Sequence, residues 1–106
     1  MHDYTAKELK AHLDTADPAP LLLDVREPWE YELCHIEGAR LIPMGQIDSA
    51  LDSLDADREI IVICHHGGRS QRVADYLERS GFTNVANLTG GIDAWTNDVD
   101  PSLAKY

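Results

Sequence analysis

The run Cys64-His65-His66-Gly67-Gly68-Arg69-Ser70 gathers a thiol, two imidazoles, a guanidinium and a hydroxyl in one short stretch. A free cysteine of pKa about 8.5 is only about 3% thiolate at pH 7, and lowering that pKa by about two units, worth about 2.7 kcal/mol, makes it mostly thiolate. Arg69 and a helix N-terminus following the loop can supply that stabilisation. Gly67 and Gly68 permit the positive φ values that aim successive backbone N–H groups at one anion. The stretch reads as a reactive thiol in an anion cradle, with phosphate, sulfane-sulfur and redox chemistry all open to it. His65 and His66 read as exposed loop residues that assist anion binding, and Ser70 as the N-cap of the next helix.

The elements that must position this loop are legible on both sides of it. Ile60-Ile61-Val62-Ile63 is the β-branched run of a strand buried on both faces of a parallel sheet, here expected over Glu59 to Ile63, and it delivers Cys64 to the strand's carboxyl end. In open α/β sheets ligands bind just outside those ends. A helix from about Ser70 to Ser80 turns Val73, Ala74 and Leu77 inward and stops at Gly81.

Upstream, Thr5 and Glu8 form a capping box for a helix over about Ala6 to Asp14. Leu21 to Val25 is a second buried strand, ending in the polar groups Asp24, Arg26 and Glu27, and Pro28 opens a short helix through Leu33. Ala39 to Ile42 is a short strand closed by Pro43, and Ile47, Leu51 and Leu54 mark one helical face. Asn84 to Leu88 is a further strand, and Gly90-Gly91 starts a last helix through Ile92 and Trp95. Alternating strands and helices predict an α/β fold: a mostly parallel central sheet of four to five strands with helices on both faces. A single domain over residues 1–106 is expected, with 98–106 as a C-terminal tail.

Composition narrows the function classes. A chain of 106 residues that is 43% hydrophobic and 26% charged reads as one soluble globule. A formal net charge of -10 repels nucleic acid and anionic membranes, so neither is an expected partner. Against that acidic body Arg69, Arg72 and Arg79 make a local basic cluster suited to a small anion. The opening Met1-His2-Asp3-Tyr4 has no cationic region followed by an apolar one, so a cytoplasmic location is expected. Two cysteines make neither a disulfide framework nor a zinc site. His65 and His66, as neighbours on a tight loop, are expected to diverge, so no metal is expected there.

Three segments together resemble a known family. They are Asp24-Val25-Arg26-Glu27 with Tyr31 and His35-Ile36-Glu37-Gly38-Ala39, the loop Cys64 to Ser70, and Leu88-Thr89-Gly90-Gly91-Ile92-Asp93-Ala94-Trp95. In order and spacing they resemble the two flanking signatures and the active-site loop of the single-domain rhodaneses, over nearly the whole chain. The resemblance implies a sulfurtransferase without a cofactor, in which Cys64 takes a sulfane sulfur from a small anionic donor such as thiosulfate. It holds that sulfur as a persulfide and passes it to cyanide or to a small-molecule or protein thiol; a persulfide carrier or sulfur-sensing module serving a partner protein is the alternative. His65, His66, Gly67, Gly68, Arg69 and Ser70 would surround the substrate, with Arg69 and the loop N–H groups holding its charge and Asp24 and Arg26 in support.

The resemblance extends to the cell-cycle tyrosine phosphatases, whose loops are one residue longer. The six-residue span from Cys64 to Arg69 has the sulfurtransferase length and fits a tetrahedral phosphate poorly. This chain departs from the family at two positions. Cys34 stands where glycine is common and is read as a packed side chain rather than a resolving thiol. His65 stands where several thiosulfate-using relatives carry arginine, which leaves the donor open among thiosulfate, mercaptopyruvate, polysulfide and a protein persulfide.

Overall fold

The computed structural model describes residues 2–106. Its elements in chain order are β1 (His2–Tyr4), α1 (Ala6–Thr15), β2 (Leu21–Asp24), α2 (Pro28–Leu33), β3 (Arg40–Leu41), α3 (Ile47–Ala50), β4 (Ile60–Ile63), α4 (Gly68–Arg79), β5 (Val85–Leu88) and α5 (Gly91–Asp98). The strands form one parallel sheet in the order β1-β5-β4-β2-β3.

β4 is central and fully buried, and its side chains alternate between the two faces. Ile60 and Val62 join Leu23, Val73, Ala74, Leu77 and Phe82 on the face covered by α3 and α4. Ile61 and Ile63 join Leu9, Leu22, Leu88, Ile92 and Trp95 on the face covered by α1 and α5. This is why the apolar run before Cys64 has no polar alternation. The five-stranded parallel sheet with helices on both faces is the architecture expected from the sequence.

The chain leaves β2 toward β3 on one side of the sheet and leaves β4 toward β5 on the other. The carboxyl ends of β2 and β4 therefore flank the point where the connections diverge, the crevice in which open α/β sheets bind ligands. Asp24 pairs with Ile63 at that edge, and the Val25 N–H continues the ladder to the Ile63 carbonyl at 3.0 Å. The Arg26 loop and the Cys64 loop thus leave the sheet side by side.

Three local readings change. β1 was not expected: it is a three-residue edge strand with polar composition, and it pairs with β5 alone, so no apolar alternation announces it. The helical face of Ile47, Leu51 and Leu54 is not one helix but a turn of α3 between 3₁₀ turns at Met44–Gln46 and Leu51–Ser53. There the Ser49 and Ser53 hydroxyls donate to the carbonyls of Gln46 and Ala50, competing with continuous helix. The segment expected as a tail from residue 98 begins inside α5 and then folds back, with Leu103 and Tyr106 packed on the α1/α5 face.

The Cys64 loop rests on the start of α5. Gly91, with φ 61°, lies so close that an added Cβ would stand 2.4 Å from the Cys64 carbonyl oxygen and 2.5 Å from that of His65. The next two N–H groups donate to those carbonyls, Ile92 to Cys64 at 2.8 Å and Asp93 to His65 at 3.1 Å. First-turn donors of α5 are thereby satisfied by the loop they support. Gly91→Ala is expected to destabilise the chain by more than about 2 kcal/mol in urea denaturation, through steric overlap with backbone and a left-handed φ. Gly45→Ala, where nothing lies within 4 Å of the new methyl group, is expected to stay within about 0.5 kcal/mol of the parent.

Candidate active site

Cys64 is 1% exposed, and its Sγ lies against the N-terminus of α4. The Gly67 N–H donates to Sγ at 3.0 Å. The sulfur therefore accepts from the N-cap N–H, the donor that an N3 side chain takes in a capping box. Gly67 is the N-cap residue, at φ 108°, and an added Cβ would come 3.3 Å from the Gly90 nitrogen. Gly68 differs from expectation: it opens α4 with open space around its Cα, so only one of the two glycines needs a left-handed backbone.

Ser70 is not the N-cap. It lies in the first turn of α4, fully buried, with Oγ 3.2 Å from the Cys64 Sγ. The hydroxyl also reaches the Gly67 carbonyl at 3.1 Å and the Asn87 Oδ1, while the Asn87 Nδ2 donates to the Gln71 Oε1 at 3.2 Å. A hydroxyl has one proton to give. It can serve only one of the Cys64 sulfur, the Asn87 Oδ1 and the Gly67 carbonyl at a time, and it can accept from the thiol S–H.

Arg69 was expected to hold the charge of an incoming anion, and it is otherwise engaged. Its Nη1 and Nη2 donate to the two carboxylate oxygens of Glu30 at 2.7 and 2.8 Å, the bidentate geometry of a strong charge-assisted pair. Glu30 is buried on α2 and also accepts from the Glu27 N–H at 2.9 Å and the Tyr106 hydroxyl at 2.8 Å. The hydrogen bond from Arg69 leads in pulling the Glu30 pKa down to about 2, against burial, with help from the Glu27 N–H and Tyr106. Glu30 in turn leads in raising the Arg69 pKa, to which charge on Cys64 also contributes. Arg69 ties the loop to α2.

Asp24 and Arg26 are both fully buried and form the second pair, Nη2 to Oδ2 at 2.7 Å and Nε to Oδ1 at 2.9 Å. Arg26 further donates to the Cys34 carbonyl at 2.7 Å, the Tyr106 hydroxyl at 2.8 Å and the Glu30 carbonyl at 3.4 Å. Burial works against its charge, but the bonds to Asp24 and Tyr106 prevail and the pKa stands above the ordinary arginine value. Both residues support the site from beneath.

His65 is half-buried. Its ring stacks on Tyr106 at 3.8 Å and 10°. Burial, then the neighbouring His66, push its pKa down, opposed by Asp93, Glu30 and a backbone hydrogen bond at Tyr106. His66 is exposed. Trp29, 60% exposed, meets Tyr106 edge-on at 5.7 Å and completes an aromatic rim. Burial leads in raising the Tyr106 pKa to about 12. Cys34 packs in the cluster on the α1/α5 face, whereas Cys64 belongs to the cluster on the other face, and both thiols are free.

Sequence reasoning thus missed Glu30, Asn87 and Tyr106. Glu30 had one local signal, a capping box from Glu27 to Glu30 around Pro28. Nothing local marks the others, because their partners lie elsewhere in the chain.

Comparison with known proteins agrees with this fold. A family model described as Rhodanese-like domain matches residues 5–98. Thiosulfate sulfurtransferase GlpE of Pseudomonas fluorescens is 36% identical over 85 residues, 80% of this chain and 78% of that protein. Adenylyltransferase and sulfurtransferase MOCS3-1 of Zea mays is 33% identical over 96% of this chain but only 23% of its own length. Several other curated relatives are likewise longer, this chain spanning between 22% and 30% of them. The crystal structure of a rhodanese-like domain protein from Staphylococcus aureus superposes with a TM-score of 0.85 at 34% identity, covering 100% of this chain and 99% of that one.

The depressed Glu30 pKa has a defined consequence for stability. A carboxylate titrating near 2 when folded and near 4.5 when unfolded stabilises the fold fully above the upper value. That contribution, about 3 kcal/mol, is lost as pH falls from about 4.5 to about 2. Urea unfolding across this window is expected to show the loss in the parent chain and a shallower acid limb in Glu30→Gln.

Proposed function

Because this chain belongs to the rhodanese-like domain family, we propose that it is a sulfurtransferase that moves a sulfane sulfur through a persulfide on Cys64. The observation that supports this reading is the setting of one thiol: Cys64 Sγ lies at the carboxyl end of the central strand, 3.0 Å from the Gly67 nitrogen and 3.2 Å from the Ser70 hydroxyl. The loop around it closes at Arg69 in the six-residue length that favours sulfur over phosphate.

The reaction has two displacements at sulfur. In the first, the Cys64 thiolate attacks the outer sulfur of thiosulfate. An S–S bond forms to Cys64 as the donor's S–S bond breaks, and its electron pair leaves on sulfite. In the second, an acceptor thiolate or cyanide attacks the terminal sulfur and the Cys64 thiolate departs with the bonding pair. The Gly67 N–H and the Ser70 hydroxyl face the sulfur that is anionic at the start and end of the cycle. With Arg69 held by Glu30 and Arg26 by Asp24, these neutral donors are the groups in hydrogen-bond contact with the sulfur, and Arg69 acts on it through space.

A protein acceptor is favoured by the exposed Trp29 beside the loop, since exposed aromatic residues at a rim are anchors for protein contact. The acidic surface suits a basic partner face. In that case Cys64 serves as a carrier, and thiosulfate turnover falls far below the usual enzymatic kcat/KM of about 10⁴ M⁻¹s⁻¹ and above. Steady-state kinetics with thiosulfate and cyanide separates the two modes.

Mass spectrometry after thiosulfate treatment is expected to find one added sulfur on the parent chain and none on Cys64→Ser. Cys34→Ser is expected to load and discharge like the parent. Retention of the added sulfur by Cys64→Ser would place the chemistry on another residue.

A further inference from the structure

The outer side of the same loop gathers a second set of donor atoms. His65 and His66 do not diverge: their ring centroids are 3.9 Å apart at 52°. Asp93 on α5 reaches the same place, so that one atom from each of the three side chains lies within 4.8 Å of the other two. The convergence follows from the packing at Gly91, which sets the first turn of α5 against the loop and brings the Asp93 N–H to the His65 carbonyl.

Two imidazoles and a carboxylate form the donor set that late first-row divalent ions prefer, with coordination positions left open. Zinc binds histidine nitrogen at about 2.0–2.1 Å, so the present spacing must contract modestly. Rotation of the exposed His66 side chain supplies that motion.

Other features fit a cation here. Tyr106 holds the His65 ring by stacking and by a backbone hydrogen bond, the kind of outer contact that orients a ligating imidazole. Lys105 stands 4.0 Å from Asp93 across a largely exposed pair, a weak competitor. The net charge of -10 enriches cations around the molecule.

We propose that His65, His66 and Asp93 form a binding site for a divalent cation of the zinc, nickel and copper class. With Arg69 and Arg26 neutralised by buried carboxylates, such an ion is the charge beside the loop that an anionic donor meets. The site does not depend on the sulfur-transfer reading, since none of its ligands is Cys64.

Zinc titration of the full chain carrying Cys64→Ser, by calorimetry, separates this site from thiolate coordination. One zinc per chain is expected, with the ring signals of His65 and His66 shifting in NMR spectra and those of His12 and His35 unmoved. Asp93→Asn and, separately, the exposed His66→Ala are each expected to weaken binding by about tenfold or more. Absence of zinc binding, or binding that both substitutions leave unchanged, overturns the proposal.

Discussion

A guanidinium with no access to water needs an acceptor for each of its five N–H groups, and an unpaired buried charge costs several kcal/mol. Arg26 meets that demand by drawing together the Asp24 carboxylate at the end of β2, the Glu30 carbonyl in α2, the Cys34 carbonyl just after it and, from the far end of the chain, the Tyr106 hydroxyl. Glu30, held on the same helix, then takes Arg69 in a bidentate pair. A loop from the middle of the sheet is thereby fixed to α2 by one ionic link, and α2 in turn is held by the hydrogen bond that Arg26 gives to its Glu30 carbonyl. Removing either carboxylate leaves a cation with no counter-charge, which makes the arrangement cooperative.

The chemistry inherits this constraint. With both nearby arginines engaged in ion pairs, the direct hydrogen-bond contacts of Cys64 are a backbone N–H at the start of α4 and the Ser70 hydroxyl. These donors are held in place by the fold and need little reorganisation when the charge on sulfur changes. The loop is fixed from below as well, because the N–H groups of Ile92 and Asp93 take the carbonyls of Cys64 and His65. One short helix start thus serves the loop's shape, and another serves the sulfur.

Much of this was legible in the chain. The run Ile60 to Ile63 announces a strand buried on both faces, because only such a strand excludes polar side chains from both. Thr5 and Glu8 announce a helix start by a contact three residues long, and the structure closes that capping box. Asp24 and Arg26 are near neighbours, so their pairing could be expected from the sequence. The edge strand β1 and the interrupted helix around Ile47 were not legible, since each depends on weak local signals overruled by a distant partner or by serine hydroxyls.

Cys64, its position at a strand's carboxyl end and the glycine-permitted turn after it are local facts of sequence, written in hydrophobic pattern and spacing. The partners of that site are not. Glu30 lies 39 residues from Arg69 and Tyr106 lies 80 residues from Arg26, and Asp93 meets His65 and His66 only because Gly91 lets two backbones touch. Local sequence specifies conformation through interactions spanning a few residues. Which charge neutralises which, and which side chains share a space, is decided when the sheet order brings the carboxyl ends of β2 and β4 together.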